Sequence, residues 1–137
     1  MSRFVLDTSV TVAWCFEDAT TPYTEGVLKA LVKGEALVPC LWPLEVSNVL
    51  VNAERRKRIT RAKVTRFLQL LGDFPITVDT EGGARVFTEV LSVAREHDLS
   101  AYDAAYLELA LRKGLPLATL DTRLRNAARR AGVELFA

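Results

Sequence analysis

At 137 residues, half of them hydrophobic, the chain can bury one sizeable core and is read as a single domain over residues 1–137. Charged residues make up 26 %, and no apolar run reaches the ~18 residues of a membrane span, which excludes a disordered chain and a helical membrane protein. Net charge is +1, so charge alone singles out no partner.

The apolar run 3–6 predicts a short buried strand that stops at Asp7. Entry into a strand so early, without a signal-peptide pattern, carries the expectation of a cytoplasmic protein. Asp7, Thr8 and Ser9 are cap residues and predict a helix over 9–16, against the β-branched Val10, Thr11 and Val12. Pro22 opens a helix with Val27, Leu28, Leu31 and Val32 on one face, ended by Gly34. A second strand follows at 36–38. Pro43 then sits in the first turn of a helix that runs to Arg55, Arg56, Lys57 and Arg58.

Thr60 caps the next helix, striped by Val64, Phe67, Leu68 and Leu71, and residues 76–78 form a third strand. Val86, Val90, Val93 and Ala94 predict a helix ending near His97. Ser100 heads an Ala/Leu-rich helix that Gly114 ends, and a fourth strand starts at 116–119. Asp121 caps a helix ending before Gly132, and 133–136 is read as a last strand. Alternation of this kind predicts an α/β fold, a three-layer α/β/α arrangement around a mostly parallel sheet of about five strands.

Asp7, Glu45, Asp103 and Asp121 all fall where apolar runs give way to helices. A parallel sheet gathers such junctions at one edge, where ligands bind. Each acid also has a plain structural reading. Asp7 and Asp121 could be helix caps, and Ser100 with Asp103 could be a capping box. Glu45 differs, because it lies on or beside the apolar face formed by Trp42, Val46, Val49 and Ala53, with no Lys or Arg one turn away. Either a distant arginine or a shared site must compensate it.

Four carboxylates in one pocket repel unless a divalent cation lies among them. Ligation by oxygen alone selects Mg²⁺ or Mn²⁺. Ser9 and Thr119 bracket two of the acids and could support them by hydrogen bonds, or could serve only as local caps. With Cys15 and Cys40 not spaced as Cys-x-x-Cys and His97 the single histidine, a zinc site of sulfur and nitrogen ligands is not expected; both cysteines are read as buried free thiols. With the four acids withdrawn into a site, the remaining surface is mildly basic, which suits a phosphodiester substrate. Arg123 and Arg125, beside Asp121, are candidates for contact with the phosphates of such a substrate. Trp14, Phe16 and Trp42 are read first as core, with a partner groove as the alternative.

At these residues the chain resembles the PIN-domain ribonucleases, and among them the VapC toxins of VapBC toxin–antitoxin pairs. The likeness lies in Phe-Val-Leu-Asp-Thr-Ser (4–9), Pro-Leu-Glu-Val-Ser-Asn-Val-Leu (43–50), Leu-Ser-Ala-Tyr-Asp-Ala-Ala-Tyr-Leu (99–107) and Leu-Ala-Thr-Leu-Asp-Thr-Arg-Leu (117–124). The resemblance implies endonucleolytic cleavage of RNA (tRNA, rRNA or mRNA) with Mg²⁺ or Mn²⁺. It implies Asp7 and Asp103 as principal metal ligands, Glu45 positioning metal or water, and Asp121 completing the pocket. It also implies a homodimer and a cognate VapB-type antitoxin. Three rivals stand beside it: a PIN nuclease of RNA processing, a non-catalytic binding module, and a phosphatase with Asp7 as nucleophile. The last lacks an acid two residues after Asp7, where Ser9 stands.

Overall fold

Phe4, Val5 and Leu6 are completely buried, and a run apolar on both faces is stable as a strand only when covered on both sides. In the computed structural model, which describes residues 2–137, this run is β1 (Arg3–Leu6). It joins β2 (Glu35–Val38), β3 (Ile76–Val78) and β4 (Leu117–Ala118) in the order β3-β2-β1-β4. All pairs are parallel: Phe4 lies opposite Ala36, Val5 opposite Leu117, and Leu37 opposite Thr77.

Among the described residues the sheet has four strands, not the five expected. Residues 133–136 supply only an isolated bridge from Leu135 to Leu117. Leu117 donates to the Glu134 carbonyl and accepts from Phe136, each at 2.9 Å. With β4 only two residues long, the ladder has no length over which to extend.

Among the described residues seven α-helices flank the sheet: α1 (Thr8–Ala13), α2 (Pro22–Lys33), α3 (Trp42–Arg55), α4 (Arg61–Gly72), α5 (Leu91–His97), α6 (Ala101–Lys113) and α7 (Thr122–Ala131). Their starts follow the cap residues. Thr21 and Thr24 form a reciprocal capping box on α2, Thr60 accepts from the Lys63 N–H, and Ser100 accepts from the Asp103 N–H. Gly114 and Gly132 end α6 and α7 at φ of 64° and 80°, a left-handed conformation that costs glycine little. No helix among the described residues is long and apolar enough to cross a membrane.

Four local expectations are corrected. The first helix stops at Ala13, because Trp14 and Cys15 close it with tighter bonds to Thr11 and Val12. The helix expected over 86–97 is α5 preceded by a π-helical turn at Val86–Val90, which leaves Val86 and Phe87 facing solvent. Val32 and Leu68 are 69 % and 45 % exposed, since the apolar stripes of α2 and α4 are narrower than the sequence suggested. Cys15 and Cys40 are free thiols as expected, but Cys15 is only half-buried and Cys40 is exposed: it follows β2, outside the layers that cover the strand.

α6 carries the densest burial, with Ala104, Tyr106, Leu107, Leu109 and Ala110 packed into the core. It also buries an ionic cluster that periodicity did not reveal. Arg112 grips Asp79, just beyond β3, through two bonds of 3.1 and 2.8 Å. It also reaches Glu108 at 2.9 Å, and Arg85 binds the same Glu108 oxygen at 2.9 Å. Asp79 and Glu108 are 7 % and 4 % exposed, so the pairs are largely desolvated.

Arg112→Leu strands buried Asp79 and leaves Glu108 to Arg85 alone. It is expected to lower the unfolding free energy by about 3 kcal/mol at pH 7, read by urea denaturation. Bonding to Arg112 holds the Asp79 carboxyl below its ordinary value of 3.8. The stabilisation is therefore complete above that pH and fades as the solution is acidified through the lower folded value. The gap between wild type and variant should narrow in the same range.

Candidate active site at the strand ends

In this sheet β2 follows β1 on one side while β4 pairs with its other edge. The winding reverses between β1 and β4, and such a reversal leaves a crevice outside the carboxyl ends of the two strands. Asp7 is the first residue after β1 and Thr119 the first after β4. The Asp7 N–H donates to the Ala118 carbonyl at 3.0 Å, which fixes the two strand ends side by side.

Asp7 occupies the N-cap position of α1, yet its carboxylate makes no capping bond. Instead the Ser9 and Thr119 hydroxyls donate to its Oδ2 at 2.6 and 2.8 Å. The group is 7 % exposed. Burial pushes its pKa up, and the two hydroxyls, with the nearby backbone N–H groups of Ser9 and Thr8, pull it back. Ser9 also accepts from the Leu120 N–H at 3.0 Å, and Thr119 accepts from the Asp121 N–H at 3.1 Å. The hydroxyls thus tie the β4–α7 loop to Asp7.

Glu45 stands in the first turn of α3, half-buried. Among the described residues no arginine neutralises it. Its Oε1 accepts from the Tyr106 hydroxyl at 2.6 Å and from Thr8 at 3.1 Å, and the Thr8 and Tyr106 oxygens are 2.8 Å apart. Burial raises the Glu45 pKa, the two hydroxyls lower it, and the charge of Asp7 raises it further. Burial also raises the pKa of Tyr106, so its proton stays in place and is donated to Glu45. Sequence reasoning missed Thr8 and Tyr106. One signal was available: Tyr106 lies three residues after Asp103, on the same side of a helix.

Asp103 lies in the first turn of α6. Its pKa is pushed up to about 6, first by burial and then by the charges of Asp121, Asp7 and Glu45, with Arg123 acting the other way. The charges of the other three acids thus reach Asp103, so the four lie at the same end of the sheet. Asp121 is exposed and caps α7, its Oδ1 accepting from the Leu124 N–H at 2.9 Å. The structural reading of Asp121 thus holds alongside any role in the pocket. Arg123 is exposed at the pocket's margin. Arg125 turns inward, donating to the Thr119 carbonyl at 2.9 Å with its guanidinium over the Tyr23 ring.

Among the described residues, no three His, Cys, Asp or Glu side chains stand close enough to form a closed cation cage. The oxygen donors near one another are carboxylates and hydroxyls, the hard ligands that Mg²⁺ or Mn²⁺ takes together with retained water. A groove of about 620 Å³ lies apart from these four acids, lined by Trp14, Phe16, Phe67, Glu17, Asp18, Arg58 and Lys63, among others.

A parallel α/β sheet with carboxylates at its reversal point belongs to the class of α/β proteins that bind ligands outside the carboxyl ends of the strands. The chain belongs to the PIN domain family, whose model matches residues 4–130 and so includes all four acids. It is 32 % identical over 80 residues to Ribonuclease VapC3 of Pyrobaculum aerophilum, a stretch covering 58 % of this chain and 61 % of that protein. The matched stretch is thus less than two thirds of that relative's length. The crystal structure of PAE2754 from Pyrobaculum aerophilum superposes with a TM-score of 0.68 at 25 % identity, over 92 % of this chain and 84 % of the other. VapBC2 of Rickettsia felis, solved with a DNA fragment from its promoter, matches in fold with a TM-score of 0.65 at 12 % identity, over 98 % and 97 % of the two chains.

Crowded carboxylates cost stability at neutral pH. With Asp103 at about 6 in the folded state against 3.8 in the unfolded, the folded state is favoured below pH 3.8 and loses that advantage as pH rises through 6. Asp103→Asn removes the penalty. It should stabilise the metal-free protein by about 1–2 kcal/mol at pH 7.5, after allowing for solvent screening, and by little at pH 4. Thermal denaturation in EDTA at the two pH values reads the difference.

Proposed function

We infer that the protein is a metal-dependent endoribonuclease of the VapC type, held in check by a VapB-type antitoxin. The observation that supports this reading is at Asp103, which burial and then the charges of Asp121, Asp7 and Glu45 push up to about 6, beside the adjoining strand ends that carry Asp7 and Thr119. The PIN family match and the name of the VapC3 relative support the choice of RNA as substrate.

In this reading Asp7 and Asp103 would hold the Mg²⁺ or Mn²⁺ ion, with Glu45 and Asp121 completing the set. When bound, such an ion makes water a stronger nucleophile and steadies charge on the phosphate. The chain's own residues do the rest. Ser9 and Thr119 fix the Asp7 carboxylate by its Oδ2, which keeps the orientation constant during turnover. Tyr106 and Thr8 engage Oε1 of Glu45, so Oε2 is the atom left to orient a water and accept its proton. The groove at Trp14, Phe16 and Phe67, which carries Arg58 and Lys63 as well as Glu17 and Asp18, suits an amphipathic antitoxin helix with charges of both signs.

Purified protein should cut RNA in Mg²⁺ or Mn²⁺ and stop on addition of EDTA. Asp7→Asn and Asp103→Asn should each lower kcat by at least about a hundredfold, measured on a labelled RNA. Thr119→Val should cost about tenfold or more, through a loosened Asp7. Cleavage unchanged in both Asn variants sinks the assignment. Stoichiometric RNA binding without cleavage at any metal concentration would favour a binding module instead.

A further inference from the structure

The side of α7 next to the acid pocket carries a feature the four acids do not explain. Asp121 caps α7, so the helix starts within the pocket and runs away from it. Thr122, Asn126 and Arg130 recur every fourth residue along one strip, with Arg123 beside it. That strip faces His97 and Asp98 at the end of α5 across an open cleft of about 450 Å³. From Asp121 to Arg130 the axis covers about 13 Å, a reach of a few nucleotides.

The cleft's charge is left unmatched. Among the described residues neither Arg123 nor Arg130 takes part in an ion pair. Asp98 is the one carboxylate in the lining and binds neither guanidinium. Arg130 is steadied by a long bond of 3.4 Å to the His97 carbonyl, which satisfies a donor without cancelling its charge. Arg125, the other arginine of this segment beside the pocket, is already committed to the Thr119 carbonyl and the Tyr23 ring. Next to Asp103 in the chain, Tyr102 is 66 % exposed, an aromatic face free for stacking. Guanidiniums without an ion-pair partner along a cleft are what a single strand requires, because its backbone seeks cations; an exposed aromatic ring offers its bases a flat partner.

We propose that the cleft between the end of α5 and α7, lined by His97, Thr122, Arg123, Asn126 and Arg130, holds the phosphates of single-stranded RNA flanking the one placed at the acid pocket. This rests on the ribonuclease reading for its choice of ligand. Arg123 takes the phosphate nearest the acids, Arg130 a more distant one, and the Thr122 hydroxyl and Asn126 amide donate between them. Tyr102 stacks on a base at the pocket's edge.

The test is fluorescence anisotropy of a labelled 12-nucleotide RNA in EDTA, where nothing is cut and the metal plays no part. The double variant R123Q/R130Q should weaken binding roughly tenfold and flatten the dependence of log Kd on log salt by about 1.4, at about 0.7 per phosphate contact on a single strand. Asp98→Asn, which suits the left-handed backbone at φ 53°, should tighten binding. Duplex RNA should compete poorly. Lys29→Gln, exposed on α2, is the control and should change nothing. Arg123 makes no hydrogen bond among the described residues, so Arg123→Gln alone provides a fold-neutral check. Wild-type affinity and salt slope in the arginine variants, or looser binding in Asp98→Asn, would overturn the cleft assignment. Duplex competing as well as single strand would overturn the single-strand preference. Absence of RNA cleavage by the wild type in Mn²⁺ strikes the nuclease reading instead, while the metal-free binding measurements decide the cleft independently.

Discussion

Repulsion among carboxylates that the sheet forces together is the constraint on which the rest of the structure depends. β1 and β4 lie side by side, so Asp7 cannot move away from the β4–α7 loop without breaking the ladder at Ala118. α6 brings Asp103 to the same place, and α3 brings Glu45. Each acid is buried or half-buried except Asp121. The fold holds these anions near one another at a cost that burial enlarges, since a low-dielectric surround strengthens their interaction.

The molecule contains two sets of acids, and their treatment differs. Asp79 and Glu108 are met by Arg112 and Arg85, and the result is an electrically quenched cluster that ties β3 to α6. Asp7 and Glu45 are met by the hydroxyls of Ser9, Thr119, Thr8 and Tyr106. A hydroxyl fixes a carboxylate in place without cancelling its charge. The first set therefore stabilises the domain, and the second is left, among the described residues, with no cationic side chain to cancel its charge. α6 carries members of both: Asp103 and Tyr106 toward the pocket, Glu108 and Arg112 toward the quenched cluster. Anchoring by the second cluster steadies the helix that presents the first.

Much of this was legible in the residues. Cap residues located the helix starts at Thr60, Ser100 and Asp121, because a cap bond is local and needs no tertiary context. The third strand was placed at 76–78, where it is found. Glu45 stood out because a carboxylate on an apolar face must find a partner. The partner itself was hidden: Tyr106 is 61 residues away and reads as core by its apolar neighbours. The Arg112 network was hidden for the same reason, since Asp79 lies 33 residues from its guanidinium. The fifth strand failed because a β-prone segment becomes a strand only where a neighbour offers a ladder of sufficient length, and β4 offers two residues.

The sequence by itself determined the alternation of strands and helices, their caps and stops, and the four junctions at which acids stand. These are properties of neighbouring residues, set by periodicity and by backbone groups needing partners nearby. Only the tertiary structure decided which hydroxyls hold those acids and that Arg125 turns inward while Arg123 stays free. It alone showed that a cleft opens beside α7. Those outcomes depend on distances between segments far apart in the chain, and strand order sets these, not local pattern. Whether a buried charge is cancelled or kept follows from what the fold places opposite it.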